Sequence, residues 1–269
     1  MTLSKKEFVK VVWKYYKLEG RHNLPWRKTR NPYRILVSEI MLQQTQVERV
    51  IPKYKAFLKR FPTVRTLAQA PLGEVLKEWQ GLGYNRRAKM LHECAKVIIK
   101  SFRGRTPKSY GELTELPGIG NYTAGAIMAF AYNEAVPILE TNIRTVFIHH
   151  FFPNQTDVSD SQLFRLTGIV LDRENPREWY WALMDYGAYL KKTIGNVNQR
   201  SKHYTKQSAF KNSNRQIRGA ILRLLTQEPC TRRKLHKELS FDIQRIDAQL
   251  ERLSEEGMIV KKQRTYKLP

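Results

Sequence analysis

The chain has 269 residues, 41% of them hydrophobic and 27% charged, with 48 Lys and Arg against 24 Asp and Glu for a formal net charge of +24. That length can bury one large or two medium cores plus a small third, and the cationic excess points to a polyanionic partner, nucleic acid ahead of an anionic membrane surface. No run of about 18 apolar residues occurs and charges interrupt the N-terminal stretch MTLSKKEFVKVVWKYY, which predicts a soluble, unexported, cytoplasmic protein. The two cysteines, Cys94 and Cys230, are too far apart in sequence to suggest a disulfide framework or a CxxC metal site.

Residues 5–18 place Phe8, Val12, Tyr15 and Tyr16 on one face of an amphipathic helix. After a Leu24-Pro25-Trp26-Arg27 loop a second helix is expected from about Tyr33 to Gln46. Glu39 falls inside it among Ile35, Leu36, Ile40, Met41 and Leu42. A carboxylate in that company is either turned to solvent or buried for a purpose, because burying a lone charge costs several kcal/mol or raises its pKa. Helices are expected at roughly 47–60, 63–70, 72–80 and 86–102, with a tight turn at Gly81-Leu82-Gly83-Tyr84.

Leu116-Pro117-Gly118-Ile119-Gly120 is a short apolar turn before a helix whose Ala124, Ile127, Met128 and Ala131 keep helical spacing. It reads either as an ordinary turn or as a seat for phosphate, since the N–H groups of a helix start lack partners and sit at the positive end of the dipole. Another buried helix is expected between Tyr180 and Leu190, followed by a basic, polar stretch from Lys191 that suits a linker or a DNA-facing loop. No alternating strand pattern occurs before residue 200, so the class is all-α for most of the chain.

The last segment differs. Ile217–Leu224, Thr231–Leu239 and Ile243–Leu253 read as three helices ended by Gly257, and Met258–Val260 and Thr265–Leu268 as two short β arms around a basic tip. That pattern suggests a small winged-helix domain at 212–269, whose third helix commonly enters the major groove. Residues 201–269 carry a net +9 and residues 1–200 a net +15, so both parts are cationic.

Four stretches go beyond such generic reading: LPWRKTRNPYRILVSEIMLQQTQVERVIPKY, FPTVRTLAQAPLGEVLKEWQGLGYNRRAKML, LPGIGNYTAGAI and VPILETNIRTVF. Over about residues 20–190 they closely resemble the adenine mismatch DNA glycosylases of the helix-hairpin-helix (HhH-GPD) superfamily, with endonuclease III and thymine mismatch glycosylases as relatives. The resemblance implies a two-lobed all-α fold: a helical barrel with the hairpin at 24–134, and a second lobe from 1–23 and 135–205 that carries the catalytic acid. It implies a monomer acting on double-stranded DNA with a mismatch or lesion, and no membrane partner.

Under that resemblance Glu39 enters the base pocket and protonates the purine, a role that needs a carboxyl whose pKa is raised by apolar surroundings. Glu140, 18 residues after Tyr122, takes the place of the carboxylate that stabilises the oxocarbenium-like sugar. The family residue there is aspartate, so one extra methylene must be compensated by backbone retreat or cost activity. Tyr122 stands where bifunctional relatives carry a Schiff-base lysine, which predicts a monofunctional enzyme leaving an abasic site. Gln44 and Tyr84 would be the wedges that fill the gap left by base flipping. Thr45 and Leu82 would lie near the opposing base, and Trp26 and Arg27 would line the pocket. Trp181 falls where adenine enzymes place a Gln or Glu that reads the purine edge. Gly118, Gly120, Arg86, Arg200 and Lys202 would meet phosphates.

Two family features are missing. Lys191–Gln207 lacks the four cysteines that hold a [4Fe–4S] cluster in most relatives, so none is expected, although hairpin carbonyls leave room for a monovalent or divalent cation. The C-terminal segment is smaller than the family's 8-oxoguanine-sensing domain and patterned differently. The expected activity is excision of adenine opposite guanine or 8-oxoguanine. Thymine or uracil excision opposite guanine, and a noncatalytic DNA-binding clamp with a winged helix, are the alternatives.

Overall fold

The computed structural model describes residues 3–269. Helix α1 (Lys5–Glu19) starts on a capping box, in which the Ser4 hydroxyl accepts the Glu7 N–H while the Glu7 carboxylate accepts the Ser4 N–H. It buries Phe8, Val12 and Tyr16. A 3-10 turn (Pro25–Lys28) leads to α2 (Pro32–Leu42), which stops short of the expected Gln46 where Gln44 takes a left-handed φ of 53°. Then come α3 (Val47–Arg60), α4 (Val64–Gln69), α5 (Leu72–Glu78) and α6 (Arg86–Phe102), with α3 and α6 at the bounds the apolar spacing predicts. They are followed by α7 (Tyr110–Thr114), α8 (Asn121–Tyr132), α9 (Thr141–Phe151), α10 (Asp160–Val170) and α11 (Pro176–Thr193). The last segment holds α12 (Asn214–Leu225), β1 (Cys230–Thr231), α13 (Arg232–Glu238), α14 (Ile243–Glu255), β2 (Val260–Lys262) and β3 (Thr265–Lys267).

The chain divides into two compact units. The first takes Met1–Leu36, Pro107–Glu115 and Ile119–Lys206. Its centre is α11, which packs against α9, α1 and α8. The Phe8 ring meets Phe151 at 4.9 Å and stands edge-on to Trp179 at 6.2 Å, and Phe8, Phe147 and Trp179 are fully buried. Each such side chain contributes roughly 1.5–3 kcal/mol of burial. Helix α8 is buried from Thr123 to Ala131, beyond the single face expected.

The α9–α11 contact is closest at Gly187. A Cβ there would lie 2.1 Å from the Asn142 carbonyl oxygen in the first turn of α9, so only glycine allows this approach. The Tyr180 hydroxyl donates to the Val136 carbonyl (2.7 Å) and accepts the Ile138 N–H (3.2 Å), which fixes the chain just before α9.

The second unit takes Val37–Thr106, Leu116–Gly118 and Gln207–Pro269. Here α6 packs against α4 and α5, and α12 against α14. The three strands form one antiparallel sheet in the order β1-β3-β2, with Cys230 opposite Tyr266 and Val260 opposite Lys267. Three helices and a basic hairpin reproduce the winged-helix pattern. Its third helix, α14, is not basic: it carries Asp247, Glu251 and Glu255 against Arg245 and Arg252. Asp247 pairs with Arg232 and His236 of α13. The cations of this domain instead gather on α12 (Arg215, Arg218 and Arg223), on α13 and on the hairpin, at Lys261, Lys262, Arg264 and Lys267.

Candidate active site

The carboxyl that composition left ambiguous is buried. Glu39 is 6% exposed in α2, beside Ser38 at 1% and Ile40 at 2%, so the solvent-facing alternative falls away. A helix interior that accepts an acid among Ile, Leu and Met does so because the group is used or paired.

Glu140 is the N-cap of α9. Its Oε1 accepts the Asn142 N–H (2.8 Å) and the Ile143 N–H (2.9 Å), and its Oε2 accepts Asn142 Nδ2 (3.3 Å). Ser, Thr, Asp and Asn normally serve at this position. The longer glutamate therefore curls back onto its own helix start, which takes up the extra methylene. Burial pushes its carboxyl up from the ordinary value, against the pull of the two amide donors and of the Arg144 and Arg21 charges.

Tyr122 is half-buried in the first turn of α8. The two hairpin glycines differ. Gly118 has φ 77°, and a Cβ on it would meet the Met90 Cβ at 2.6 Å. Gly120, the N-cap of α8, has an ordinary φ of −96°, with open space where a Cβ would stand and no side-chain cap. Only the first needs glycine for its backbone.

In the second unit Gln44 and Tyr84 sit on turns, each with left-handed φ (53° and 47°), while Leu82 is buried at 3%. Leu82 thus supports its loop rather than presenting its side chain. Both turns hang on Arg87, a residue the sequence did not single out. Its guanidinium donates to the carbonyls of Ile40 (2.8 Å), Met41 (2.9 Å), Gln43, Leu82 (3.3 Å) and Gly83 (3.1 Å) and to the Thr45 hydroxyl (3.0 Å). Arg87 closes the C-terminal end of α2, where helix carbonyls lack partners, and ties it to the Tyr84 turn. Burial lowers its pKa to about 10, so it stays charged near neutrality. Arg86, next to it, is exposed.

In the first unit Trp26 is 7% exposed and Trp181 8%. Trp181 lies 5.9 Å from the Phe130 ring, near parallel, with the Arg27 guanidinium 5.4 Å over its own ring. Arg27 itself is committed to Asp185, donating Nη1 to Oδ2 (2.7 Å) and Nη2 to Oδ1 (2.8 Å), and its side chain is 4% exposed. Arg21 adds its backbone N–H and Nε to the same carboxylate, both at 2.7 Å. Burial alone would raise the Asp185 pKa, but these bonds and charges hold it below the usual carboxylate value. Arg27 therefore anchors α11, and Asp185 is a second residue that sequence reasoning missed.

A model of the HhH-GPD superfamily, base excision DNA repair proteins, matches residues 37–167. The adenine DNA glycosylase of Mycobacterium tuberculosis (strain ATCC 25618 / H37Rv) is 33% identical over 269 residues, covering 90% of this chain and 87% of that one. The chain belongs to the adenine DNA glycosylase family of the HhH-GPD superfamily. An adenine DNA glycosylase of Buchnera aphidicola subsp. Baizongia pistaciae is 40% identical over 187 residues, and the chain spans about half the length of such relatives (52% of this one). Among solved structures, a thermostable thymine-DNA glycosylase is 28% identical with a TM-score of 0.62, covering 68% of this chain and 86% of that one. A non-covalent endonuclease III–DNA complex, 18% identical with a TM-score of 0.60, shows the same fold.

A [4Fe–4S] cluster, common in this family, does not fit these residues. The chain has two cysteines, both buried, and burial pushes the Cys94 thiol up to about 12, so neither the number nor the chemistry of ligands is present. The corresponding span is stitched by hydrogen bonds. Asn198 Nδ2 donates to the Thr141 carbonyl and the Thr145 hydroxyl, both at 3.1 Å, and Arg144 Nη1 to the Ser201 hydroxyl at 3.0 Å. The backbone N–H groups of Val158 and Lys202 meet the carbonyls of Arg200 and Val158 (3.0 and 3.1 Å). Arg200, expected at a phosphate, donates Nη1 to the Phe152 (3.0 Å) and Pro153 carbonyls, whereas the Lys202 side chain is exposed.

Proposed function

We propose that the chain is a monofunctional DNA glycosylase that hydrolyses the N-glycosidic bond of adenine mispaired with guanine or 8-oxoguanine, acting as a cytoplasmic monomer on duplex DNA. The single observation that carries the reading is Glu39, a carboxyl 6% exposed within an apolar helix. A protonated Glu39 gives its proton to the flipped purine, turning a poor leaving group into a neutral one. As the bond to the sugar breaks, the ionised Glu140 stabilises positive charge at C1′, and water then adds to that carbon. The Asn142 and Ile143 amides hold the Glu140 carboxylate in one orientation throughout. Tyr122 offers no amine for a Schiff base, so the product is an abasic site and the strand stays intact. Gly118, the α8 start at Gly120, and the Arg86 and Lys202 side chains supply phosphate contacts.

Thymine or uracil excision opposite guanine is the second reading. It is favoured by Trp181, whose indole donates one hydrogen bond and cannot reproduce an amide. Single-turnover reactions on duplexes carrying A:8-oxoG, A:G, T:G and U:G, each with and without hot alkali, separate these readings. Alkali-dependent breaks at adenine are expected; none with any duplex would refute the enzyme, and breaks without alkali would refute the monofunctional assignment.

A further inference from the structure

The second unit contains a cavity of about 1130 Å³, slightly above the few hundred to about 1,000 Å³ usual for ligand sites. One wall holds Gln44 and Tyr84; the other is α12, with Arg215 and Arg223. Both turn residues are clasped by the chain that follows residue 206. Gln207 Nε2 donates to Gln44 Oε1 (3.1 Å) and to the Tyr84 hydroxyl. Arg215 Nη1 donates to the same hydroxyl, its Nη2 donates to the Ser208 carbonyl (2.6 Å), and its guanidinium lies 5.3 Å over the Tyr84 ring. Tyr84 is thereby held against the winged domain.

The charge in this cavity is lopsided. Six arginines line it against two glutamates, Glu238 and Glu256. Arg218 is paired with Glu256, and Arg87 is committed to carbonyls. Arg86 and Arg223 are exposed, and neither forms an ion pair among the described residues. Arg215 meets only neutral oxygens and a ring, and a guanidinium binds phosphate oxygens roughly twice as strongly as neutral acceptors.

We propose that this cavity binds a DNA phosphodiester through Arg215, Arg223 and Arg86, and that the phosphate draws Arg215 off Tyr84, releasing the tyrosine to enter the duplex. The identity of the polyanion rests on the glycosylase reading. The winged domain then acts through α12 as a latch that DNA itself opens, and the acidic α14 is not the element that meets the backbone.

The test is fluorescence anisotropy of the full chain with a short undamaged duplex over a salt series. Arg223→Gln is expected to reduce the slope of log affinity against log salt by about 1, while Arg223→Lys restores it. Tyr84→Phe keeps the ring but removes the acceptor that occupies Arg215, so it is expected to tighten binding about two- to tenfold, the equivalent of one hydrogen bond. That gain disappears in an Arg215→Gln background. An unchanged slope for Arg223→Gln, or Tyr84→Phe binding that is unchanged or weaker, would overturn the inference. Excision of mismatched adenine is read in parallel: its absence, with both binding effects present, would refute the glycosylase reading and leave this one standing.

Discussion

Gly187→Ala tests how the fold positions Glu140, the proposed charge-stabilising carboxylate. The new Cβ would stand 2.1 Å from the Asn142 carbonyl oxygen and 2.6 Å from its carbon, where ordinary contact begins at 3.4 Å. Both atoms belong to backbone, so no rotamer change relieves the clash, and the first turn of α9 must retreat by about 1 Å in a close-packed interior. Glu140 caps that turn and moves with it. A displacement of about 1 Å at a reacting group costs about a hundredfold in rate. The stability change is smaller: alanine gains about 1 kcal/mol of helix propensity over glycine, against about 1–3 kcal/mol for overpacking. A net loss of at most about 2 kcal/mol is therefore expected. The assay is single-turnover excision at saturating protein, with urea unfolding alongside. Gly168→Ala, where a Cβ meets nothing within 4 Å, is the control and should keep the rate while gaining about 0.5–1 kcal/mol. A folded Gly187→Ala protein with the wild-type excision rate would refute the positioning argument.

Asp185→Asn leaves the Arg27 guanidinium buried without its counterion and is expected to cost about 3–5 kcal/mol in urea unfolding. Because the folded Asp185 pKa is depressed, its contribution is present above the unfolded value of 3.8 and is lost as pH falls through the folded one; the wild type should lose this part of its stability only in strong acid. Glu140 has the opposite sign. Its raised folded pKa costs stability as pH climbs from 4.5 through the folded value, while excision, which needs the carboxylate, rises over the same interval. A rate profile whose acid limb lies at or below 4.5 would contradict the buried setting. Arg87→Met strips donors from the carbonyls at the end of α2 and from both turns, and should destabilise by about 2–4 kcal/mol while broadening NMR signals of Gln44 and Tyr84.

Much of the helical framework was legible in apolar spacing because long amphipathic helices such as α3 and α6 write their buried face into the sequence. Helix α2 was overextended, since nothing local announces that Gln44 turns left-handed; Arg87, distant in sequence, bonds the carbonyls there. Glu39 was ambiguous for the same reason: periodicity shows which residues share a face and cannot say whether an acid on it meets protein or water. Asp185, Arg87 and Gly187 were overlooked because each acts through a partner remote in sequence, respectively Arg27, the end of α2 and Asn142. The family resemblance located Glu140 by spacing, yet the way its longer side chain folds onto α9 depends on three-dimensional capping geometry. The winged domain was readable as elements, but its acidic third helix and the Arg215–Tyr84 latch emerge only once α12 and the turn at Tyr84 are seen packed in one unit.

Glu39 is the buried carboxyl proposed to protonate the base. Glu39→Gln keeps the size and hydrogen-bonding capacity of the side chain but removes the transferable proton. In single-turnover excision of adenine opposite 8-oxoguanine, with anisotropy on the same duplex, the expected result is loss of cleavage with affinity retained within about threefold, since the lost interaction belongs to the transition state. Cleavage at the wild-type rate by Glu39→Gln would contradict it.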